Sequence, residues 1–519
     1  MSTIDPSPNP RRQRRILAVL VVSAVLIWID STVLGIALER LADPVHGLGA
    51  TPGQLQWAVG IYSLLFATAL FLAGALGDRY GHRTVLMTGL VVFGAASAWA
   101  AWATDPVGLI LARATMGLGG ALIMPTSMAI IGWTFPPERR AGAIAIWSSS
   151  AGLGVAVGPV LGGLLIDHFW WGSVFTINLP IVVFGLIGAA VVLPNPRSPR
   201  RRRLDPLGLG LSTLGLLGLS YGLIEGGHQG GWDRWQVWAS IGAGLVLLAG
   251  FLFSEWREQE PSFDPRLFGN RRFAAGNYAL AAVFLTITGQ SFYLAFYLQG
   301  ARGMSALHAG LMSLPGAMGV IVGAPLGARL AGRLGVAKVS GTAILTLALC
   351  FAANLLYDVN TSLIVIGIIG GLAGLAIGMT VAPTTAAVMA TLPMDRIGAG
   401  SAVNNALRQV GSVLGVAVLG TVVSSTYQHR IAPSLAGLPN GEAIGTSAEA
   451  TRHAAAILHR PDLVQTANDT FVHAMHLAAG VAAGFVLSGA IVLGLAFRIA
   501  RPSQSGVAGG AERERAEIG

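Results

Sequence analysis

Asp30 sits in the run Trp28-Ile-Asp-Ser-Thr-Val, well inside the first long apolar stretch of the chain. An acid at that depth costs ~2.5–3.5 kcal/mol on insertion scales, so it is kept for a purpose or lines water. Arg113 lies inside the fourth apolar stretch. Counted from the outer ends of their stretches, Asp30 is about 8 residues deep, or ~12 Å, and Arg113 about 7 residues, or ~10 Å. Similar depths let the two meet across a central cavity. One reading is a purely structural ion pair. The other is a carboxylate whose protonation is coupled to cargo, with Arg113 tuning its proton affinity.

Other chemistry is missing. The single lysine, Lys338, stands between Ala and Val, so there is no Gly-Lys-Ser/Thr phosphate loop. Gly117-Leu-Gly-Gly lies in an apolar stretch and follows no strand, which rules out a dinucleotide site. Cys350 is the only cysteine, so neither a disulfide framework nor a thiolate metal cluster is expected. His429, His453, His459, His473 and His476 gather near the last loop, but no carboxylate or cysteine falls at a persuasive ligand spacing. No cofactor, no metal and no paired acid and base are called for. The chain reads as a non-enzyme, and whatever it moves must be driven by a gradient.

The elements that position these residues are membrane helices. Of 519 residues, 53% are hydrophobic and 11% charged, against about a quarter charged in soluble domains. Repeated apolar runs of ~20 residues make this an all-α polytopic membrane protein with fourteen spanning helices. The net charge of +9 comes from arginines in short turns. Most of them fall in the tails and even-numbered turns, a positive-inside pattern rather than a nucleic-acid face. It predicts a cell-membrane protein with both termini in the cytoplasm. Three stretches recur in order at a nearly constant offset. Leu76, Arg79 and Gly81 match Leu330, Arg333 and Gly335, Gly120 with Pro125-Thr126 matches Gly378 with Pro383-Thr384, and Thr134-Phe-Pro-Pro-Glu-Arg matches Thr391-Leu-Pro-Met-Asp-Arg. The pattern predicts two pseudo-symmetric six-helix halves plus two inserted helices. The expected order is a tail (1–15), the first half (16–193), a basic linker (194–205, with Arg197 to Arg203), the inserted pair (206–254), a second linker (255–272), the second half (273–498) and a tail (499–519). Helices thirteen and fourteen are expected at 402–426 and 475–498, around a long outer loop at 427–472 with a helix-prone piece from Ser447 to His459.

Helix five reads Gly154-x-x-x-Gly158-Pro159-x-x-Gly162-Gly163. These spacings put small residues on one face for close helix approach, and Pro159 adds a bend. The seam either packs or flexes during a transport cycle. Gly316, Gly319, Gly323 and Gly327 give helix ten a matching face. Between helices two and three lies the charged turn Gly74-Ala-Leu-Gly-Asp-Arg-Tyr-Gly-His-Arg.

Together these residues resemble the major facilitator superfamily, specifically its fourteen-helix drug:proton antiporter branch. The turn, with Gly74, Asp78, Arg79, Gly81 and Arg83, is similar to the superfamily signature. Arg113 with Gly117 resembles the helix-four motif, with Met116 where glutamine is common. The helix-five string resembles the exporter motif, and Asp30-Ser-Thr with Asn178-Leu-Pro resembles the fourteen-helix branch. The likeness runs from about Ile16 to Arg498. It implies rocker-switch alternating access, proton coupling through Asp30 and Arg113, and export of lipophilic or cationic drugs or antibiotics. The alternatives are a narrow exporter of one endogenous metabolite or antibiotic and, further off, a non-transporting sensor. In this branch an acid in or near the inserted or later helices often contacts cations. Glu225 is the nearest such acid, or else a solvated loop residue. Gln290, Asn404, Asn405 and Arg408 are polar cavity candidates of the second half, each equally able to be an interhelical hydrogen-bonder. The implied partners are a small-molecule cargo, protons and the lipid bilayer, with no nucleic acid, while an accessory protein stays open.

The turn is charged asymmetrically, because Gly332 stands where the first copy has Asp78. An aspartate at a helix end can cap the exposed amides of another helix. The resemblance points to the start of helix thirteen, near Ser401. Asp78 is thus expected to latch the cytoplasmic side, with Arg79 and Arg83 completing the network.

Overall fold

The computed structural model describes residues 10–196, 205–227, 231–259, 261–392 and 397–498. The basic run Arg197–Arg203, the tail 499–519 and most of the second copy of the Thr391 repeat lie outside them. The helices are α1 (Pro10–Ala42), α2 (Pro52–Tyr80), α3 (His82–Ala101), α4 (Pro106–Thr134), α5 (Pro137–His168), α6 (Ser173–Val192) and α7 (Pro206–Gly226). Then come α8 (Trp235–Arg257), α9 (Arg271–Ala301), α10 (Ala306–Leu334), α11 (Val336–Leu356), α12 (Leu363–Met389), α13 (Ile397–Ile431) and α14 (Pro461–Arg498). Thirteen are long and apolar enough to cross a membrane as single spans, and α2 does so with a 50° bend between Leu70 and Leu72.

Local sequence sets where these helices begin. Thr51 and Gln54 form a reciprocal capping box at the start of α2. Asp105 and Asp205 accept the N–H of Gly108 at 2.9 Å and of Gly208 at 2.8 Å, starting α4 and α7. Each cap is followed by a proline at the first helical position, where its missing N–H costs nothing. Between α2 and α3 the chain turns on Gly81 at φ +100°, and between α10 and α11 on Gly335 at φ +86°. Only glycine adopts such angles freely, so the two repeats turn the same way for the same reason.

Packing follows the repeat. In the first half α1 packs on α5 and α6, and α4 on α2 and α3, while α3 also meets α6. Eight helices later α9 packs on α13 and α14, α12 on α10 and α11, and α11 on α14. The halves meet where α2 runs along α13 and α5 along α10, and the hairpin α7–α8 lies against α2 and α13. Helix α8 exposes Leu245, Val246 and Phe253, as a lipid-facing helix does. One face of the bundle carries the α2–α3 turn and the start of α7, and is termed the basic face. The opposite face carries residues 432–460 and is termed the cap face.

Two boundaries differ from expectation. Helix α1 starts at Pro10, so Arg11, Arg12, Arg14 and Arg15 belong to its first turns and not to a tail. Helices α13 and α14 run to Ile431 and from Pro461, which shortens the loop to 432–460. At 35 and 38 residues they are ~52 and ~57 Å long, well beyond a ~30 Å hydrocarbon core. Tyr427, Ile431, Phe471 and Val472 are buried in the extended part, so packing rather than lipid sustains it. The loop is tied down on them by the Tyr427 hydroxyl donating to Thr451 at 2.8 Å and Gln428 donating to the Thr446 carbonyl at 3.1 Å. Its helix Ala448–Ile457 is capped by Ser447.

Candidate functional site

Asp30 and Arg113 meet. The Arg113 Nη1 donates to Asp30 Oδ2 at 2.6 Å, with the two side chains 2% and 0% exposed. The other carboxylate oxygen accepts from Asn178 Nδ2 at 3.1 Å, and that amide also donates to Ser97 at 3.0 Å. Arg113 Nε donates to the Ala58 carbonyl at 3.2 Å, and its guanidinium lies 4.4 Å from the centre of the Tyr62 ring. Met116 takes the place of a harder acceptor, its sulfur 3.9 Å from both Arg113 Nη1 and Ser97 Oγ. Five helices, α1, α2, α3, α4 and α6, each contribute one wall. The two thus meet, as their depths allow, but inside the first half and not across a central cavity. Removing either member would strand a buried charge, which costs ~3–5 kcal/mol. Two buried groups beside it, the Tyr62 hydroxyl and Asn178 Oδ1, have no hydrogen-bond partner among the described residues.

The glycines of α5 hold the turn of α1 that carries Asp30. A side chain at Gly154 would run into Trp28 and Ile29, one at Gly158 into Thr32, and one at Gly162 into Val33. Thr32 Oγ1 also reaches the Gly154 carbonyl at 3.3 Å. Gly163 faces the other way, onto the Ala306–Leu307 backbone of the second half, and the Pro159 carbonyl abuts Gly310. The small face of α10 has a different partner. Gly319, Gly323 and Gly327 pack on the backbone of α12 within their own half.

In the α2–α3 turn, Asp78 lies 3.4 Å from His82 Nε2. Arg83 donates to the Ala190 and Leu193 carbonyls at 2.7 and 3.4 Å, a cation on the C-terminal end of α6. Asn195 Oδ1 accepts the backbone N–H of Arg83 at 3.1 Å, and the His82 N–H donates to the Pro196 carbonyl at 3.1 Å. Arg79 stacks beside Tyr80, and a side chain at Gly74 would meet open space. The turn is thus fastened to the end of its own half.

The remaining polar candidates do not converge. Glu225 lies at the cap-face end of α7, 3.8 Å from Arg234. Asn404 Nδ2 donates to Asn277 Oδ1 at 2.8 Å, both buried. Arg408 lies 4.2 Å from the centre of the Phe284 ring. Asn405 is exposed and Gln290 half-buried.

Sequence reasoning missed the clasp at the cap face. Asp167, at the end of α5, accepts the backbone N–H groups of Ala306 and Leu307, each at 3.0 Å. Gln299 of α9 donates to the Ile36 carbonyl of α1 at 2.9 Å. Both ties cross from one half to the other. Ser305-Ala-Leu opening a helix, opposite an acid that closes another at the same face, was the available signal.

The profile described as Major Facilitator Superfamily matches residues 20–416. The multidrug efflux pump LfrA of Mycolicibacterium smegmatis is 33% identical over 512 residues, covering 96% of this chain and 100% of that protein. The methyl viologen resistance protein SmvA of Salmonella typhimurium is 32% identical over 81% of this chain and 84% of its own length. A bacterial homologue of the human lysosomal transporter Spinster, solved inward-facing and unoccupied, superposes with a TM-score of 0.67 at 17% identity. It covers 96% of this chain and 100% of its own.

Proposed function

This chain belongs to the Major Facilitator Superfamily, and from that premise we propose that it is a proton-coupled exporter of lipophilic or cationic drugs. Its relatives include a multidrug efflux pump and a methyl viologen resistance protein, which supports outward transport of such compounds. By the positive-inside rule the basic face is cytoplasmic. The cap-face clasp of Asp167 and Gln299 then closes the outer side, and the halves rock about the α2–α13 and α5–α10 contacts.

The observation that carries the proton reading is Asp30, fully buried between Arg113 and Asn178. Protonating it cancels the pair and leaves Arg113 as a buried, uncompensated cation, worth ~3–5 kcal/mol. Two transporter states differ by only a few kcal/mol, and ~5.5 kcal/mol is enough to turn a 1:99 ratio into 99:1. At ~3–5 kcal/mol one proton on Asp30 falls just below that full reversal, yet it shifts the ratio of the two states by about two to four powers of ten. The glycine seam of α5 couples it outward, because the α1 turn it grips carries Asp30 and its far side, Gly163, meets the other half. Asp78, Arg79 and Arg83 serve the opposite gate, forming when the cytoplasmic side closes.

Proteoliposomes with an imposed pH gradient test this. Wild-type protein is expected to move ethidium uphill with cargo-dependent proton flux, and Asp30→Asn to abolish uphill movement. Full gradient-driven activity in Asp30→Asn would sink the proposal.

A further inference from the structure

The hairpin α7–α8 encloses a cavity of about 220 Å³ against α2 of the first half and α13 of the second. Its walls are apolar, with Leu72, Leu209, Leu248, Phe251, Leu407 and Val410 among them. One side chain in this lining has no part in the proton scheme. Glu255, 2% exposed, closes the basic-face end of α8. Its Oε2 accepts the N–H of Phe263 at 3.1 Å, and its Oε1 meets no donor among the described residues, only the neighbouring Asp205 carboxyl. Asp205 lines the same cavity, with one oxygen spent on capping α7 through Gly208. A methyl group added to Gly208 would meet both the second Asp205 oxygen and, at 3.1 Å, Glu255 Oε1. Two carboxylate oxygens thus face one small space, and among the described residues neither acid is ion-paired.

A buried carboxylate oxygen without a donor costs several kcal/mol, which a ligand of opposite charge recovers. The surroundings narrow the ligand. A hard metal ion needs about six oxygen ligands, and no group of three acidic, histidine or cysteine side chains converges among the described residues. Aromatic faces are at hand instead, with the Phe251 and Phe263 rings 5.6 Å apart and Phe263 stacked on Phe268 at 5.9 Å. A carboxylate set among aromatic rings is the chemistry that recognises organic ammonium groups. The volume falls below the ~300–1,000 Å³ of sites for drug-sized ligands, so a compact cation, or the charged head of a larger one, fits. We infer that the inserted hairpin holds a binding site for compact lipophilic monocations, with Glu255 as counter-charge and Asp205 beside it. Its walls come from both halves, so the site changes shape whenever they rock. The proposal rests on the export reading for its use in transport and on the cavity alone for its chemistry.

The test is equilibrium dialysis of N-methylquinolinium against the full chain in nanodiscs at pH 8, with neutral 4-methylquinoline as control. Glu255→Gln keeps an acceptor for the Phe263 N–H and is expected to weaken cation binding at least tenfold, leaving the neutral compound unaffected. Should Glu255→Gln not fold, Leu209→Trp fills the cavity without touching either acid and is expected to cause the same loss. No binding to the wild type, or wild-type affinity in Glu255→Gln, overturns the site. The export reading is decided separately. If Asp30→Asn still pumps while Glu255→Gln loses binding, the site stands and the proton scheme falls; the reverse pattern spares the scheme and removes the site.

Discussion

At the heart of the first half a carboxylate and a guanidinium face each other at 2.6 Å. In the second half two neutral asparagines, Asn277 and Asn404, do so at 2.8 Å, and the cation Arg408 is set over a phenyl ring instead of an acid. Yet the helices around them pack in the same pairs, eight helices apart. Backbone architecture here comes from apolar matching and glycine approaches, which both repeats retain. Chemistry comes from single polar side chains, which only one repeat carries. The buried ion pair thus belongs to one half, while the buried polar pair of the other is neutral.

The largest contrast is between the two arginines. Arg113→Met leaves Asp30 buried without its cation and is expected to cost ~3–5 kcal/mol. Arg408→Met removes a cation–π contact and is expected to cost ~0.5–2 kcal/mol. Chemical denaturation of each variant in detergent gives both numbers. In the double variant Asp30→Asn, Arg113→Met neither charge is stranded, so part of the loss should return. Equal costs for the two single variants would break the asymmetry.

A second contrast sets the two faces against each other. At the cap face Asp167 reaches across to the other half, while at the basic face Asp78 is engaged with His82 in its own turn. Asp167 is exposed, so its two bonds are worth ~1–2 kcal/mol together. Asp167→Ala, which removes both acceptors, should lower the ratio of cap-closed to cap-open molecules about tenfold, since 1.4 kcal/mol is a factor of ten. Spin-label distances between the cap-face ends of α5 and α10 report that ratio. Asp78→Asn is expected to move it the other way, by weakening the opposite gate. A shift in the same direction for both would refute the division of labour between the faces.

These contrasts were unevenly legible in the sequence. The fourteen spans could be read because each is a long apolar run, and most are closed by a capping residue, a proline or a glycine. Asp30 and Arg113 stood out because a charge in such a run is expensive. Their place inside one half could not be read, since depth along a helix says nothing about which way a side chain points. Glu255 and Asp167 were hidden for the opposite reason. Acids at the ends of apolar runs are common, and only the tertiary fold shows that one is buried without an ion pair among the described residues and the other caps a distant helix. The extension of α13 and α14 past the membrane was equally hidden, because helix beyond lipid is sustained by contacts between residues far apart in the chain.

The smallest contrast lies in the two glycine turns, and it bears on how the repeats diverged. Gly81 and Gly335 both hold positive φ angles, so alanine at either should introduce strain of ~1–3 kcal/mol. Around Gly335 a new side chain would find open space, whereas at Gly81 it would strike Asn195. Asn195 braces the turn through the Arg83 N–H at 3.1 Å and the Thr84 hydroxyl at 3.1 Å, and each such bond is worth ~1 kcal/mol. Gly81→Ala should therefore cost about 1–2 kcal/mol more than Gly335→Ala in a denaturant titration. Adding Asn195→Ala should erase most of that difference, because the clash and the brace are the same residue. If the difference survives, the first turn is held by its backbone alone, and its polar fastening to α6 contributes nothing that the bare second turn lacks.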